Sequence, residues 1–313
     1  QFGEIPKCAD FPDPVAAAGE QIIHVKAAVL ENFDKMTAKG IQYASKKMIP
    51  VFPAVVGLGG IGTTENGHLV GFRGARPPYG SMAEKTVVRQ ALPIPEGIDP
   101  VQASALPAAV LTSYLPLRFT ANLRPGETVL INGATGVSGK IAVQIARMMG
   151  AKRVVGTGRN ERSLNLLRGL GADAVVDLKQ PDEKIMSDIK KESADGGIDV
   201  IIDFIWGHPA ELIMQSFVPE ELGLPEKRIR YIHVGQKAGS NISLSGEMLR
   251  TSGLEIYGAA NIPRERIPEA MKQVWQWIRE DKFQIEIERI PLADIESAWM
   301  RDDLDGKRIV IIP

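Results

Sequence analysis

The stretch of this sequence best suited to do chemistry is a glycine-rich turn, VLINGATGVSGK, at residues 129–140. Gly133, Gly136 and Gly139 are spaced three apart, between a short apolar run and a run with helical periodicity. A helix that starts at such a turn presents free N–H groups and the positive end of its dipole to an anion. The pattern predicts a dinucleotide pyrophosphate site, and the alternative is a turn whose glycines serve packing alone.

Each glycine of the turn has its own predicted role. Gly133 lets the chain turn sharply out of the strand, Gly136 lets backbone N–H groups approach the pyrophosphate, and Gly139 lets the helix pack closely on the strand. The residues predicted to contact the pyrophosphate are Gly133, Ala134, Thr135, Gly136, Val137, Ser138 and Gly139.

The next strand, followed by a helix start, reads VVGTGRNERS and bears on which dinucleotide binds. NAD binders place an Asp or Glu at this strand end, and none is present here. Arginines at 159 and 162 instead offer planar forks of donors that suit a 2′-phosphate. The sequence favours NADPH (NADP+), and the alternative is a pair of solvated arginines. The predicted contacts here are Thr157, Gly158, Arg159, Asn160 and Arg162.

The turn belongs to a long alternation of strands and helices. Near-continuous apolar strands predict a parallel sheet covered on both faces, and six of them match a doubly wound dinucleotide-binding fold. The predicted strands lie at 127–132, 153–158, 174–178, 198–205, 230–235 and 254–259, and the helices between them near 137–150, 163–171, 182–193 and 208–217. We therefore predict a β-rich first domain over 1–104, a nucleotide-binding domain over 105–260, and a return segment, 261–313, that completes the first domain.

The bulk charge of the chain favours no particular class of charged partner. Lys and Arg number 37 against 38 Asp and Glu, a balance that favours neither nucleic acid nor a membrane surface. No apolar run approaches the roughly 20 residues that span a bilayer. A single cysteine, Cys8, cannot form an intrachain disulfide and favours a reducing compartment. We expect a soluble cytoplasmic protein.

Seven segments carry a family resemblance: YGSMAEKTVV (79–88), LPIPEGIDPVQASALP (92–107), RPGETVLINGATGVSGKIAVQIARMMGAKRVVGTGRN (124–160), LGADAVVDL (170–178), GIDVIID (197–203), IPLADIESAW (290–299) and GKRIVIIP (306–313). In the order and spacing of these segments, the sequence resembles the medium-chain dehydrogenase/reductase superfamily. The resemblance is to its zinc-independent quinone oxidoreductase-like (zeta-crystallin-like) branch. The resemblance implies an α/β protein with a GroES-like β-rich catalytic domain, a Rossmann domain with a doubly wound parallel sheet, and a homodimeric enzyme.

The resemblance also implies candidate catalytic residues. Zinc-independent relatives carry an Asn and an Asp three apart in the segment that matches 27–40. Asp34 fits the aspartate, whereas Glu31 falls at the Asn position and Asn32 lies one residue away. Tyr79 is placed to donate to a substrate carbonyl, the alternative being a tyrosine packed in a turn.

Further cofactor contacts are implied near the nicotinamide and ribose. One cysteine and four scattered histidines predict no metal site. The residues implied to contact the nicotinamide or ribose are Thr112, Ile205, Val234 and Asn261.

Together these features predict an NADPH-dependent, zinc-free oxidoreductase that transfers a hydride to a quinone or related electron-poor carbonyl. One alternative is an enoyl or alkenal reductase that acts on activated C=C bonds. An alternative of another class is an NADPH-binding sensor, or a structural or RNA-associated protein, with little turnover.

Overall fold

The computed structural model describes residues 1–194, 196–219, 225, 227–302 and 306–313. The chain forms two compact units. Unit 1 comprises Gln1–Pro107, Trp275–Lys282 and Glu286–Pro313, and unit 2 comprises Ala108–Val274 and Phe283–Ile285. No helix within the described ranges is long and apolar enough to cross a membrane.

The elements follow one another along the chain in this order: β1 (Gln21–Leu30), α1 (Asn32–Ala38), α2 (Ser45–Met48), β2 (Gly59–Thr64), β3 (Leu69–Arg73), β4 (Lys85–Val88), β5 (Ala91–Pro93), α3 (Pro100–Ala105), α4 (Pro107–Leu115), a π-helical turn (Pro116–Thr120), β6 (Thr128–Asn132), α5 (Val137–Met148), β7 (Arg153–Gly158), α6 (Glu161–Gly169), β8 (Ala174–Asp177), α7 (Asp182–Ser193), β9 (Val200–Asp203), α8 (Gly207–Gln215), β10 (Ile229–His233), α9 (Gly246–Thr251), β11 (Leu254–Gly258), a 3₁₀ turn (Arg264–Arg266), α10 (Ile267–Arg279), β12 (Ile287–Pro291), a 3₁₀ turn (Leu292–Asp294), α11 (Ile295–Met300) and β13 (Arg308–Ile312).

Unit 1 is built on a mixed sheet in the order β12-β13-β1-β2-β3-β5, with β4 also paired to β1. The long strand β1 is antiparallel to β2, β4 and β13, and its register places Ala28 opposite Ile311. β1 contains the short run QIIHVKAAV (21–29) and β4 forms the end of the run AEKTVV (83–88), and the β-branched and apolar residues of both runs are typical of strands. Ile23 and Ala28 of β1 are fully buried, so this strand forms the centre of the core.

Unit 2 contains a six-stranded parallel sheet in the order β11-β10-β9-β6-β7-β8. This order confirms the doubly wound fold, because strand order reverses at β6 and β9. Leu130, Val155 and Ile201 are buried in its core, as near-continuous apolar strands of a two-sided sheet require. The pattern missed helix α9, whose six residues are too few for periodicity. Its one local signal is Ser245, whose hydroxyl accepts the Met248 N–H (3.1 Å).

Candidate functional site

The glycine turn follows β6 and is fastened to the neighbouring strand β7. Gly133 has φ 81°, a left-handed conformation that favours glycine. Its N–H donates to the hydroxyl of Thr157 (3.2 Å), and the N–H of Ala134 donates to the Thr157 carbonyl (2.7 Å). The turn therefore has one fixed position at the carboxyl end of the sheet.

The other two glycines of the turn have opposite surroundings. A Cβ on Gly139 would lie 2.3 Å from the Gly133 carbonyl oxygen and 2.6 Å from Cα of Ala134, so α5 packs too closely on the turn for a side chain. Gly136 is exposed, and a Cβ there would meet only the Gly133 oxygen at 3.6 Å. The start of α5 is thus open where a helix has N–H groups without helical partners, and this fits a pyrophosphate.

Gly158, at the end of β7, is required for packing. A Cβ on this residue would lie 2.2 Å from Cγ2 of Thr135. The strand that leads to the predicted 2′-phosphate contacts is therefore pressed directly against the turn. The sequence predicts only a cofactor contact for Gly158, so its packing against Thr135 is an additional role.

A buried polar network for which the sequence gives little sign joins residues of four neighbouring strands, β6, β7, β9 and β10. The Asp203 carboxylate accepts from the amide of Asn132 (2.9 Å) and from the hydroxyl of Tyr231 (2.5 Å). The hydroxyl of Thr157 donates to the Asn132 side-chain oxygen (2.7 Å), so the network reaches the residue that holds the turn. Asn132 and Asp203 are each the last residue of an apolar strand, and this position is the only local signal for them.

The same aspartate also organises the loop after β9. Its carboxylate accepts the N–H groups of Ile205 (2.8 Å) and Trp206 (3.0 Å). Burial raises the pKa of Asp203, and the hydrogen bond from Tyr231 opposes that rise. Desolvation is the largest cause of the high pKa of Tyr231, so its hydroxyl stays a donor.

The predicted cofactor residues fall into two groups. Ile205 packs on the turn, since a Cβ on Gly133 would lie 2.6 Å from its Cγ2. The N–H of Val234 donates to the Asp203 carbonyl (2.8 Å), which keeps it at the same sheet edge. Thr112 and Asn261 are exposed, and within the described part of the chain neither forms a hydrogen bond with the turn.

The predicted 2′-phosphate contacts lie at the start of α6. Arg159 and Arg162 are both exposed. They flank Asn160 and Glu161, which are the N-cap and the first residue of α6. Asn160 is the N-cap of α6, and its side-chain oxygen accepts the N–H of Ser163 (2.7 Å). The cap fixes the start of α6, and hence the backbone from which both arginines extend.

In unit 1, two of the predicted catalytic residues line a cavity of about 340 Å³. Asp34 is only 5% exposed, and its two oxygens accept the N–H groups of Glu31 (2.8 Å) and Leu58 (2.9 Å). Burial raises the pKa of Asp34 to about 6, although both backbone hydrogen bonds lower it. The rest of the lining is largely apolar and includes Met48, Ile49, Val55, Val56, Leu58, Ala75 and Pro77.

The second residue is Tyr79, whose hydroxyl contacts the Asp13 carbonyl at 3.4 Å and whose ring packs edge-on against Phe11 (5.8 Å). Asn32, the third predicted catalytic residue, is exposed at the first position of α1 and is absent from the described lining. The cavity thus brings together Asp34 and Tyr79, but not Asn32.

Glu31, which stands where the family resemblance expects an Asn, forms a partly buried ion pair. Its carboxylate lies 3.1 Å from a guanidinium nitrogen of Arg308. Arg308 also donates to the Ala105 carbonyl (3.0 Å), and desolvation lowers its pKa. The side chain of Glu31 is therefore held by β13.

The donor set for a metal ion does not match what zinc needs. Within the described part of the chain, no group of three or more His, Cys, Asp or Glu side chains could hold a metal. Zinc sites use three or four such ligands.

Comparisons with known proteins add to this geometry. The family model described as zinc-binding dehydrogenase matches residues 138–276. A probable NADPH-dependent quinone reductase of Emericella nidulans is 27% identical over 236 residues, which cover 70% of this chain and 63% of that protein. The chain thus matches less than two thirds of that relative's length.

Two further relatives match over greater lengths. The quinone oxidoreductase of Sus scrofa is 27% identical over 290 residues, covering 87% of this chain and 82% of that protein. The crystal structure of the Thermus thermophilus quinone oxidoreductase, also solved with NADPH, superposes with a TM-score of 0.72 at 25% identity, covering 97% of this chain and 95% of that one. With the parallel sheet and glycine turn of unit 2, these matches show that the chain is similar to quinone oxidoreductases in sequence and in fold.

Proposed function

We propose that the chain is an NADPH-dependent oxidoreductase that transfers a hydride to a quinone or a related electron-poor carbonyl. The observation that carries this proposal is the exposed start of α5 at Gly136, where backbone N–H groups are open to an anion. Arg159 and Arg162 supply guanidinium groups for a 2′-phosphate. The NADPH dependence of the Emericella relative and the NADPH complex of the Thermus enzyme support this cofactor.

Each predicted site residue has a proposed role in binding the cofactor or in supplying a proton. NADPH, when bound, supplies the hydride. The turn binds the pyrophosphate, and Ile205 and Val234 orient the nicotinamide end, with Thr112 and Asn261 as further predicted contacts. Reduction of a carbonyl also needs a proton on the oxygen that gains negative charge. Asp34 and Tyr79 are the proposed donors, and Asn32 is a proposed polar contact.

A second candidate is reduction of an activated C=C bond by an enoyl or alkenal reductase. After hydride adds to the β-carbon, the α-carbon must take a proton from a donor held in a water-poor site. The Asp34 carboxyl favours this candidate, because its pKa of about 6 leaves part of it protonated near neutral pH within a largely apolar cavity.

Three finer proposals accompany the activity. The enzyme works without zinc, which the absence of a ligand cluster among the described residues supports. It acts in the cytoplasm, which the single cysteine supports. It acts as a homodimer, as the family resemblance implies. Metal analysis and sedimentation of the purified protein test the first and third.

The test is loss of the reduced-nicotinamide absorbance with NADPH or NADH and a panel of an ortho-quinone, a para-quinone, an enone and an aldehyde. We expect NADPH oxidation with the quinones. Replacing both Arg159 and Arg162 by Ala should weaken NADPH binding by about tenfold to a hundredfold, the value of a charge-assisted hydrogen bond, and leave NADH turnover unchanged. Arg168→Ala, on the same helix, is the matched control and should change neither.

Each other outcome has a distinct meaning. Activity on the enone alone would favour the C=C reductase. Binding of NADPH with no turnover of any acceptor would favour the sensor or structural role. A preference for NADH would contradict the role given to the two arginines.

A further inference from the structure

A surface segment of unit 1, residues 41–52, exposes several large apolar side chains. The exposed fractions are 67% for Ile41, 98% for Tyr43, 53% for Val51 and 46% for Phe52. Single exposed apolar residues are common on proteins, but a group of them within one segment marks an interaction site. We call residues 41–52 the 41–52 segment, and its four exposed apolar side chains the patch.

The two ends of the segment lie on one surface, because Phe2 bridges them. The ring of Phe2 packs edge-on against Phe52, with centroids 5.0 Å apart. On its other side it lies against Gly40, where an added Cβ would be 3.0 Å from the Phe2 ring. Phe2 therefore contacts both the chain just before Ile41 and the ring of Phe52, which brings the two ends of the segment close together.

The charges around this patch have one sign. Between Asp34 and Glu65 the sequence holds four lysines and no acidic residue. Lys39, Lys46 and Lys47 are exposed, and none of them has an ion pair with another residue of the described chain. The local distribution thus differs from the balanced charge of the whole chain.

We propose that the 41–52 segment docks on the surface of an anionic lipid membrane. The lysines contact phospholipid headgroups, while Tyr43, Phe52 and the aliphatic side chains enter the interfacial layer. Protein interfaces are depleted in lysine, which argues against a protein partner. Nucleic-acid surfaces rely on a larger positive field and on arginine, and neither is present here.

The patch is continuous with the cavity of unit 1. Lys47, Met48 and Ile49 belong to the 41–52 segment and also line the cavity that contains Asp34. A segment resting on lipid therefore places this cavity at the bilayer surface, within reach of molecules dissolved in the membrane.

The test is co-sedimentation of the full chain with vesicles, which requires no cofactor or substrate. One set is phosphatidylcholine alone and the other contains phosphatidylglycerol as well. We expect binding to the anionic vesicles only, weakened by salt. Lys46→Glu with Lys47→Glu should weaken it about 25-fold or more, since each lysine near an anionic surface contributes roughly a fivefold gain. The matched control is Lys190→Glu with Lys191→Glu, which reverses the charge of an adjacent exposed pair on α7. This variant should bind the vesicles as well as the unmodified chain does.

A second variant tests the apolar part. Tyr43→Ser with Phe52→Ser should lose binding while all lysines remain, and thermal melts check that each variant is folded. Three results would overturn the proposal. The first is equal binding to neutral and anionic vesicles, and the second is an equal loss of vesicle binding in the two lysine variants. The third is that the chain binds single-stranded RNA but not vesicles.

Discussion

Replacing Gly136 by alanine separates the binding of a pyrophosphate from the stability of the fold. The new methyl would meet only the Gly133 oxygen, at 3.6 Å, and φ −76° with ψ 169° is open to any residue. Alanine in place of glycine at a helix N-cap costs less than about 1 kcal/mol. The lower entropy of the unfolded chain offsets about 0.4–1 kcal/mol of this. We therefore expect a melting temperature within a few degrees of the unmodified protein.

Affinity for NADPH should respond very differently. The methyl would stand at the open start of α5, where the proposed pyrophosphate approaches the backbone. Losing one charge-assisted hydrogen bond costs about 1.5–3 kcal/mol, so the Kd should rise about tenfold to a hundredfold. Calorimetric titration with NADPH measures the Kd, and thermal unfolding measures the stability of the same samples.

Two other glycines complete the comparison. Gly139→Ala should lose both stability and binding, because its Cβ would lie 2.3 Å from a backbone oxygen. Gly169→Ala, near the end of α6 with nothing within 4 Å of the added Cβ, should leave binding unchanged and stabilise slightly. An unchanged Kd for Gly136→Ala would refute the pyrophosphate site, and a loss of stability as large as that of Gly139→Ala would refute the geometric reasoning.

Three more substitutions test buried polar groups. Asp34→Asn should gain about 2 kcal/mol relative to the unmodified chain between pH 4 and 7, because the folded pKa of about 6 exceeds the ordinary 3.8 and ionisation on raising the pH destabilises the buried carboxyl. Urea unfolding at both pH values measures this, and parallel pH profiles would contradict it. Tyr231→Phe should cost about 1.5–3 kcal/mol in the same assay, since Asp203 loses a donor, and an unchanged midpoint would contradict the network. Arg308→Met should cost about 3–5 kcal/mol by leaving Glu31 without its partner, and adding Glu31→Gln should recover much of the loss if the ion pair is the cause.

The sequence predicted what depends on neighbours along the chain. The alternation of apolar strands and helices gave the parallel sheet, and the spacing of Gly133 and Gly139 gave the turn and the close packing of α5, because each is a local requirement. The network of Asn132, Thr157 and Asp203 could not be predicted in this way. Its members come from strands that are adjacent only once the sheet order is known.

The same limit applies to pairs that lie far apart in the chain. Glu31 and Arg308 are 277 residues apart, and the sequence gives no sign that they meet. The contact between Gly158 and Thr135 likewise depends on how β7 and the turn are placed. Asp34 was found through the family pattern, but its raised pKa follows from burial, which the pattern alone does not give.

The pairing of β1 with β13 has a consequence for how the protein is made. Ala28–Leu30 pairs with Ile309–Ile311, so this part of β1 has no such partner until the residues between the two strands have left the ribosome. At about 5–20 residues per second, the roughly 280 intervening residues take on the order of 15–60 s. An unpaired strand edge can join another chain during that interval. The continuous stretch Ala108–Val274 of unit 2 is made before β13, so the sheet of unit 1 closes after most of unit 2 has been synthesised.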